Sequence, residues 1–355
     1  MTSACPASLR ELVIHAGTHK TASSYIQSRL AANQEQLGQG GVIARYPGPP
    51  SRKHKPLAAA LAKERWPLWR RYLRGLPAEP PRVLLSAEQF TQPLVSRRRL
   101  AALVELLEQA GFRLHVLCFL RDQPDYINAR YVHSSRRLYH CQDFDTYVQV
   151  QLAERQHIYD YSLLFSPLLS HPGVRCTFLP YGSAFGDPFE RMLEALGVTA
   201  PPQGWAAADP SKGNVQPGCR GVWLARAVGE RLQALGVPGR SLANTGAAVR
   251  RIAEAQGWQD DRYCGFDAAA AEAVSSHYSA SNDAFAQRVW GCRWRDRVPV
   301  VPMDRRQYEP PTGGPEREAL ERLVDQALAD LAAGNRRLAK ALRNTSLTMT
   351  TTRLA

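Results

Sequence analysis

The chain has 355 residues, 44% of them hydrophobic, which is enough to bury a full core and to fold as one large domain or one domain with an appendage. Its seven cysteines are scattered, odd in number and form no C-x-x-C pair, which argues against a disulfide framework and a cysteine zinc site, and no metal is expected. Lysine and arginine exceed aspartate and glutamate by 45 − 32 = 13, so an anionic partner is expected.

Leu12-Val13-Ile14 is too short and too closely bracketed by charge to be the apolar part of a secretory leader. No stretch approaches the roughly 20 apolar residues that span a bilayer. A soluble protein of the reducing cytoplasm is the expectation.

In chain order, a strand is predicted over Leu12 to His15 and a helix from Ser23 to Asn33, followed by a proline-rich connection at Tyr46 to Pro50. A helix over Leu57 to Leu73 precedes a strand at Arg82 to Ser86. Then come a helix at Arg97 to Ala110, a strand at Leu114 to Leu120, and helices at Asp125 to Leu138 and Phe144 to Glu154. The strand Val174 to Leu179 and the helix Pro188 to Leu196, stopped by Gly197, close this half. The strands are short and aliphatic, as strands covered on both faces are, and their alternation with helices predicts a parallel α/β sheet.

Beyond about Pro201 helical patterns dominate, at Gly221 to Leu235, Ala247 to Gln256, Ala268 to His277 and Glu316 to Leu342. The expected organisation is an α/β core over 1–200, a mainly helical extension of the same domain over 201–344, and a loose tail at 345–355.

The first strand runs into Ala16-Gly17-Thr18-His19-Lys20-Thr21-Ala22-Ser23-Ser24, where helical periodicity begins. A strand, a turn and a helix start aim backbone N–H groups and the positive end of the helix dipole at one point, where an anion is stabilised. Gly17 allows close approach, Lys20 brings a mobile charge, and Thr21, Ser23 and Ser24 bring short hydroxyl donors. A nucleotide triphosphatase would carry G-x-x-x-x-G-K-[ST]. Here His19 precedes Lys20, only one glycine stands before it, and the next strand ends Ser86-Ala87-Glu88 without a magnesium-holding aspartate.

The run His15-Ala16-Gly17-Thr18-His19-Lys20-Thr21-Ala22-Ser23-Ser24 resembles the 5′-phosphosulfate loop of sulfotransferases that use 3′-phosphoadenosine 5′-phosphosulfate (PAPS), especially their bacterial carbohydrate-type members. It departs from His-x-Gly-x-x-Lys-Thr-Gly-Thr-Thr at Ala22 and in having two serines for two threonines. The resemblance implies a P-loop-like three-layer core, with Gly17, Thr18, His19, Lys20, Thr21, Ala22, Ser23 and Ser24 around the donor's 5′ end. It also implies a 3′-phosphate site built from an arginine ending a strand and a serine about eight residues later. Arg121 matches the arginine, but Ala129 stands in the serine's place, with Asn128, Arg130 and Ser134 as the alternative contacts. The segments Phe144 to Tyr161, Leu179 to Gly182, Phe189 to Gly197 and Gly213-Asn214-Val215 are also similar, so the likeness covers roughly the first 240 residues.

Sulfuryl transfer needs a base for the attacking hydroxyl or amine, in-line placement, and positive charge at the departing oxygen. Lys20 is the expected leaving-group stabiliser. Glu88, just past a strand's carboxyl end, is the favoured base, as relatives of the polysaccharide type use a glutamate, while His54 in the basic run Ser51 to Lys55 and His19 are its rivals. Arg52 to Lys55, Arg97 to Arg99 and Arg136-Arg137 are candidates for drawing in an anionic acceptor such as an acidic sugar. The alternatives are a P-loop kinase-like phosphoryl transferase and a basic nucleic-acid binder. The second would use Trp66, Trp69 and Tyr72 among Arg65, Arg70 and Arg71, but their helical spacing favours inward packing, and no stable nucleic-acid partner is expected.

Overall fold

A computed structural model of the protein describes residues 9–47, 53–79, 81–153, 158–208, 216–243 and 245–343. Gly48 to Pro50, Ser51-Arg52, Gly213-Asn214-Val215 and the tail from Thr345, which carried expectations above, lie outside them.

Five strands, β1 (Arg10–His15), β2 (Val42–Ile43), β3 (Arg82–Ser86), β4 (Phe112–Arg121) and β5 (Val174–Tyr181), form one sheet in the order β2-β3-β1-β4-β5. Every pairing is parallel, and the register sets His15 beside Ser86 on one side and Leu117 on the other. Alternate residues of each strand enter different cores. Leu12, Ile14, Val83, Leu85 and Val116 pack on one face, Val13, Leu84, Leu117 and Phe119 on the other. A parallel sheet buried on both faces must be covered by helices. The first face carries Arg97–Gln109, whose Leu100, Leu103, Val104 and Leu107 make an apolar stripe, together with Tyr161–Leu169. The second carries α1 (Ser23–Ala32) and the helix Pro188–Ala195.

The helix expected over Leu57 to Leu73 is two, Lys55–Ala62 and Trp66–Arg74. Pro67 has no N–H to continue the first, and its ring is tolerated only in the opening turn of a new helix. Glu64, with φ 54°, makes the turn between them. Trp69 and Tyr72 point into the core, at 0% and 8% exposure, and are therefore not a nucleic-acid-facing surface.

The described residues group into two compact units that interleave along the chain. The first, from Met1–Gln123, His157–Asn214 and Ser276–Val300, holds the whole sheet. Its helix Tyr161–Leu169, not anticipated from the sequence because Pro167 interrupts the pattern, is started by Asp160, whose carboxylate accepts from the N–H of Leu163 at 3.0 Å. The helix Ala268–Trp290 runs well beyond the expected His277. Its polar stretch stays helical because Asn282 exchanges two hydrogen bonds with Gln123, at 2.7 and 2.9 Å, and Ser281 donates to Asp160.

The second unit, from Pro124–Gln156, Val215–Ser275 and Val301–Ala355, is helical apart from an antiparallel bridge between Cys264 and Arg306. Its core joins Leu224, Val228 and Leu232 of Gly218–Ala234, Val249 and Ile252 of Thr245–Ala255, and Val324, Leu328 and Leu331 of Gly314–Ala333. No helix among the described residues is long and apolar enough to cross a membrane.

Candidate active site

β1 lies at the centre of the sheet with β3 and β4 on either side, and the chain leaves it towards β2 but crosses to β4 after β3. Such a reversal opens a crevice at the carboxyl ends of the strands, where ligands of open α/β sheets bind. The loop from Ala16 to Ala22 occupies that edge.

The loop is pinned from both sides. From the β3 side, Ala87 N–H donates to the His15 carbonyl at 3.1 Å, and the Thr91 hydroxyl donates to the carbonyls of Ala16, at 3.1 Å, and Gly17. From the β4 side, Ala16 N–H donates to the Leu117 carbonyl at 2.9 Å, the Thr18 hydroxyl donates to the Phe119 carbonyl at 3.1 Å, and Arg121 Nη1 donates to the Lys20 carbonyl at 2.9 Å. Thr21 Oγ1 donates back to the Thr18 carbonyl at 2.6 Å. The hydroxyls of Thr18 and Thr21 thus hold the loop's shape.

Gly17, Lys20 and Ala22 have positive φ of 52°, 70° and 57°. Left-handed residues in a tight turn bend the backbone into a concave nest of N–H groups that favours anions. For lysine and alanine this conformation costs roughly 1 kcal/mol each, a strain of the kind that persists where the surroundings enforce it.

α1 starts at this loop without a side-chain cap, and its first turn has no acidic residue. Its leading N–H groups have no intrahelical acceptor. Three polar atoms crowd around Gly17: a Cβ there would lie 3.3 Å from Thr21 Oγ1, 3.3 Å from Ser23 Oγ and 3.5 Å from His15 Nε2. Of these, Ser23 Oγ and His15 Nε2 have no hydrogen-bond partner among the described residues, although Ser23 is 5% and His15 0% exposed. Ser24 is exposed.

Glu88 opens a short 3-10 turn directly after β3. Its carboxylate lies 3.3 Å from His19 Nδ1, with 32% of the Glu88 side chain exposed, so it stands beside the loop in reach of solvent. Arg98 and Arg99, expected as candidates for drawing in an anionic acceptor, pair with Glu64.

His54 is 1% exposed rather than presented on an open loop. Its Nδ1 accepts from the N–H of Ser86 at 3.0 Å, which leaves the ring proton on Nε2, 3.0 Å from the Arg45 carbonyl. Burial pushes its pKa down to about 4. With both nitrogens occupied, His54 shapes the end of β3 and has no ring atom to offer a substrate hydroxyl.

Arg121 sits at the end of β4 in the first unit, with its guanidinium over Tyr181 and its carbonyl accepting from the Tyr161 hydroxyl at 2.6 Å. Asn128 and Arg130 belong to the second unit. The Asn128 amide is taken up on the backbone there, donating to Tyr263 at 3.2 Å and accepting from Gly265 at 3.0 Å. Arg130 lies over the Tyr126 ring, and Ser134 donates to the Arg130 carbonyl at 2.8 Å.

The structure thus brings Gly17 to Ser24, Glu88 and Arg121 to one edge of the sheet. It adds Thr91, Ser86 and His15, to which the sequence reading assigned no role. His15 had a signal as the last residue of β1 and the first of the motif-like run, and Ser86 as the last residue of β3.

Compared with protein-family models, with curated proteins and with solved structures, the chain has no match in any of the three.

Proposed function

We propose that the chain is a sulfotransferase that moves a sulfuryl group from PAPS to a hydroxyl or amine of a carbohydrate or other small acceptor. In this reading the sheet and its covering helices are a P-loop-like three-layer core. The observation that carries the proposal is the loop after β1. It is pinned by Thr91, Thr18 and Arg121, strained at Lys20 and Ala22, and lined by Ser23 Oγ, a buried hydroxyl with no partner among the described residues. A cradle a Cβ would fill, with an orphaned donor and an uncapped helix start, fits a phosphosulfate end.

When bound, the donor supplies an activated sulfuryl group on a nucleotide leaving group. Lys20 provides positive charge where negative charge collects on the departing oxygen, and the loop's N–H groups and Ser23 hold the surrounding oxygens. Because the loop is already fixed by its neighbours, it needs no reorganisation to do so. Glu88 takes the proton of the attacking group, and His19, 3.3 Å away, orients its carboxylate. Among the candidate bases Glu88, His54 and His19, Glu88 is favoured over His54 because it is open to solvent beside the loop while both His54 nitrogens are engaged. Arg121, at the same edge of the sheet, brings a planar fork of N–H donors suited to the 3′-phosphate.

Calorimetric titration with 3′-phosphoadenosine 5′-phosphate, against ATP with magnesium, tests this. Micromolar binding of the bisphosphate without metal and much weaker ATP binding is the expected result. Preference for magnesium ATP would replace the proposal with a phosphoryl transferase.

A further inference from the structure

His15 ends the central strand at 0% exposure, and its two ring nitrogens have unequal surroundings. Nδ1 lies 2.8 Å from Ser86 Oγ, the residue directly beside it on β3. Nε2 is equally buried, has no hydrogen-bond partner among the described residues, and faces Gly17 together with the orphaned Ser23 Oγ. A buried donor left without an acceptor is costly, so two of them converging at an uncapped helix start mark a place built for an acceptor from outside the chain.

We infer that His15 is an anion-binding residue of the loop: its imidazole, neutral and held by Ser86, donates from Nε2–H to an oxygen of the phosphate or sulfate group seated over Gly17. This rests on the proposal that the loop holds such a group. Ser86 sets the tautomer, because its hydroxyl can donate to Nδ1 and so leave the ring proton on Nε2. Burial lowers the His15 pKa to about 4, which keeps the ring a neutral donor at ordinary pH. The site therefore gains a directed hydrogen bond without a second full charge beside Lys20. A neutral donor fixed between two strands favours a group with several oxygens in fixed directions over a compact halide, so the ligand class is a tetrahedral oxyanion.

The test compares His15→Asn with His15→Gln in the full chain. Asparagine places its amide near Nδ1 and keeps the Ser86 contact without reaching the Nε2 position, whereas glutamine carries an amide N–H to about the place of Nε2. Affinities for inorganic pyrophosphate and for 3′-phosphoadenosine 5′-phosphate are measured by calorimetry. The expectation is a loss of about tenfold or more for both probes in His15→Asn and near-native binding in His15→Gln, the size of one hydrogen bond to a charged group. Nitrogen-15 NMR of the wild-type protein with pyrophosphate should show the His15 ring protonated on Nε2, a readout that stands even if a variant does not fold.

Native affinity in His15→Asn, or the Nδ1–H tautomer in the complex, would overturn the assignment. Pyrophosphate binding that depends on His15, with no gain from the adenosine moiety, would support the assignment while removing the sulfotransferase reading. Tight bisphosphate binding indifferent to His15 would do the reverse.

Discussion

Arg121 Nη1 donates to the backbone carbonyl of Lys20 at 2.9 Å, joining the end of β4 to the strained turn that follows β1. Through this bond an arginine 101 residues away in sequence fixes the residue whose side chain carries the loop's charge. If the proposed function holds, Arg121→Ala is therefore expected to weaken binding of inorganic pyrophosphate, which would occupy only the loop, as well as of 3′-phosphoadenosine 5′-phosphate. A loss of about tenfold or more is expected for the bisphosphate, and a smaller one for pyrophosphate. Calorimetry with the two ligands separates the clamp from a direct phosphate contact; unchanged pyrophosphate affinity would remove the clamp.

Lys20 joins its proposed role to strain, since its φ is 70°. Lys20→Ala and Lys20→Gly should both lower kcat/KM for sulfuryl transfer by about a hundredfold or more, the scale of a lost transition-state charge contact. They should differ in stability. Glycine adopts this backbone freely and alanine does not, so urea unfolding should find the glycine variant more stable than the alanine variant by about 1 kcal/mol.

Glu88 gives a different signature. Glu88→Gln keeps the shape beside His19 but cannot accept a proton, so transfer should fall below detection while bisphosphate affinity stays within about twofold of native. Activity measured alongside calorimetry decides it, and an active Glu88→Gln enzyme would move the base elsewhere.

His15 and His54 are both buried and both held at a pKa of about 4, below the ordinary 6.5. The unfolded chain takes up these two protons between pH 6.5 and 4 and the folded chain does not, so stability is full above about 6.5 and falls as the pH drops towards 4. Each proton contributes a slope of about 1.4 kcal/mol per pH unit in that window. Urea unfolding between about pH 7.5 and 4.5 should show this decline, and His54→Gln should reduce its slope by about one proton. Glu11 acts in a separate window: His115 and Arg82 hold its carboxyl down to about 2, against the burial that opposes them. Its contribution is present above about 4.5 and lost as the pH falls through 2.

Much of the first unit was legible because its signals are local. Four strands were visible as short aliphatic runs, since a strand buried on both faces has no polar side to break the run. The fifth, Val42–Ile43, has two residues and cannot be told from any apolar pair. The loop was legible for the same reason, because its glycine, lysine and hydroxyls lie within a few residues of a strand end and a helix start. Arg121 was visible as the residue that ends an unmistakable strand.

What the amino-acid order could not display is which distant groups occupy one another. His54 reads as a candidate base in a basic run until Ser86 and Arg45 close on its two nitrogens. Asn128 reads as a phosphate contact until Tyr263 and Gly265 occupy its amide. Thr91, to which the sequence assigns nothing, meets the carbonyls of Ala16 and Gly17 only in the fold. By itself the sequence determined the parallel α/β core, the helical remainder and the place of the loop between β1 and α1, because periodicity and strand-to-helix turns are properties of neighbouring residues. The tertiary structure decided which hydroxyls and imidazoles are used up internally and which remain for a ligand, because hydrogen-bond satisfaction depends on groups that only folding brings within about 3 Å.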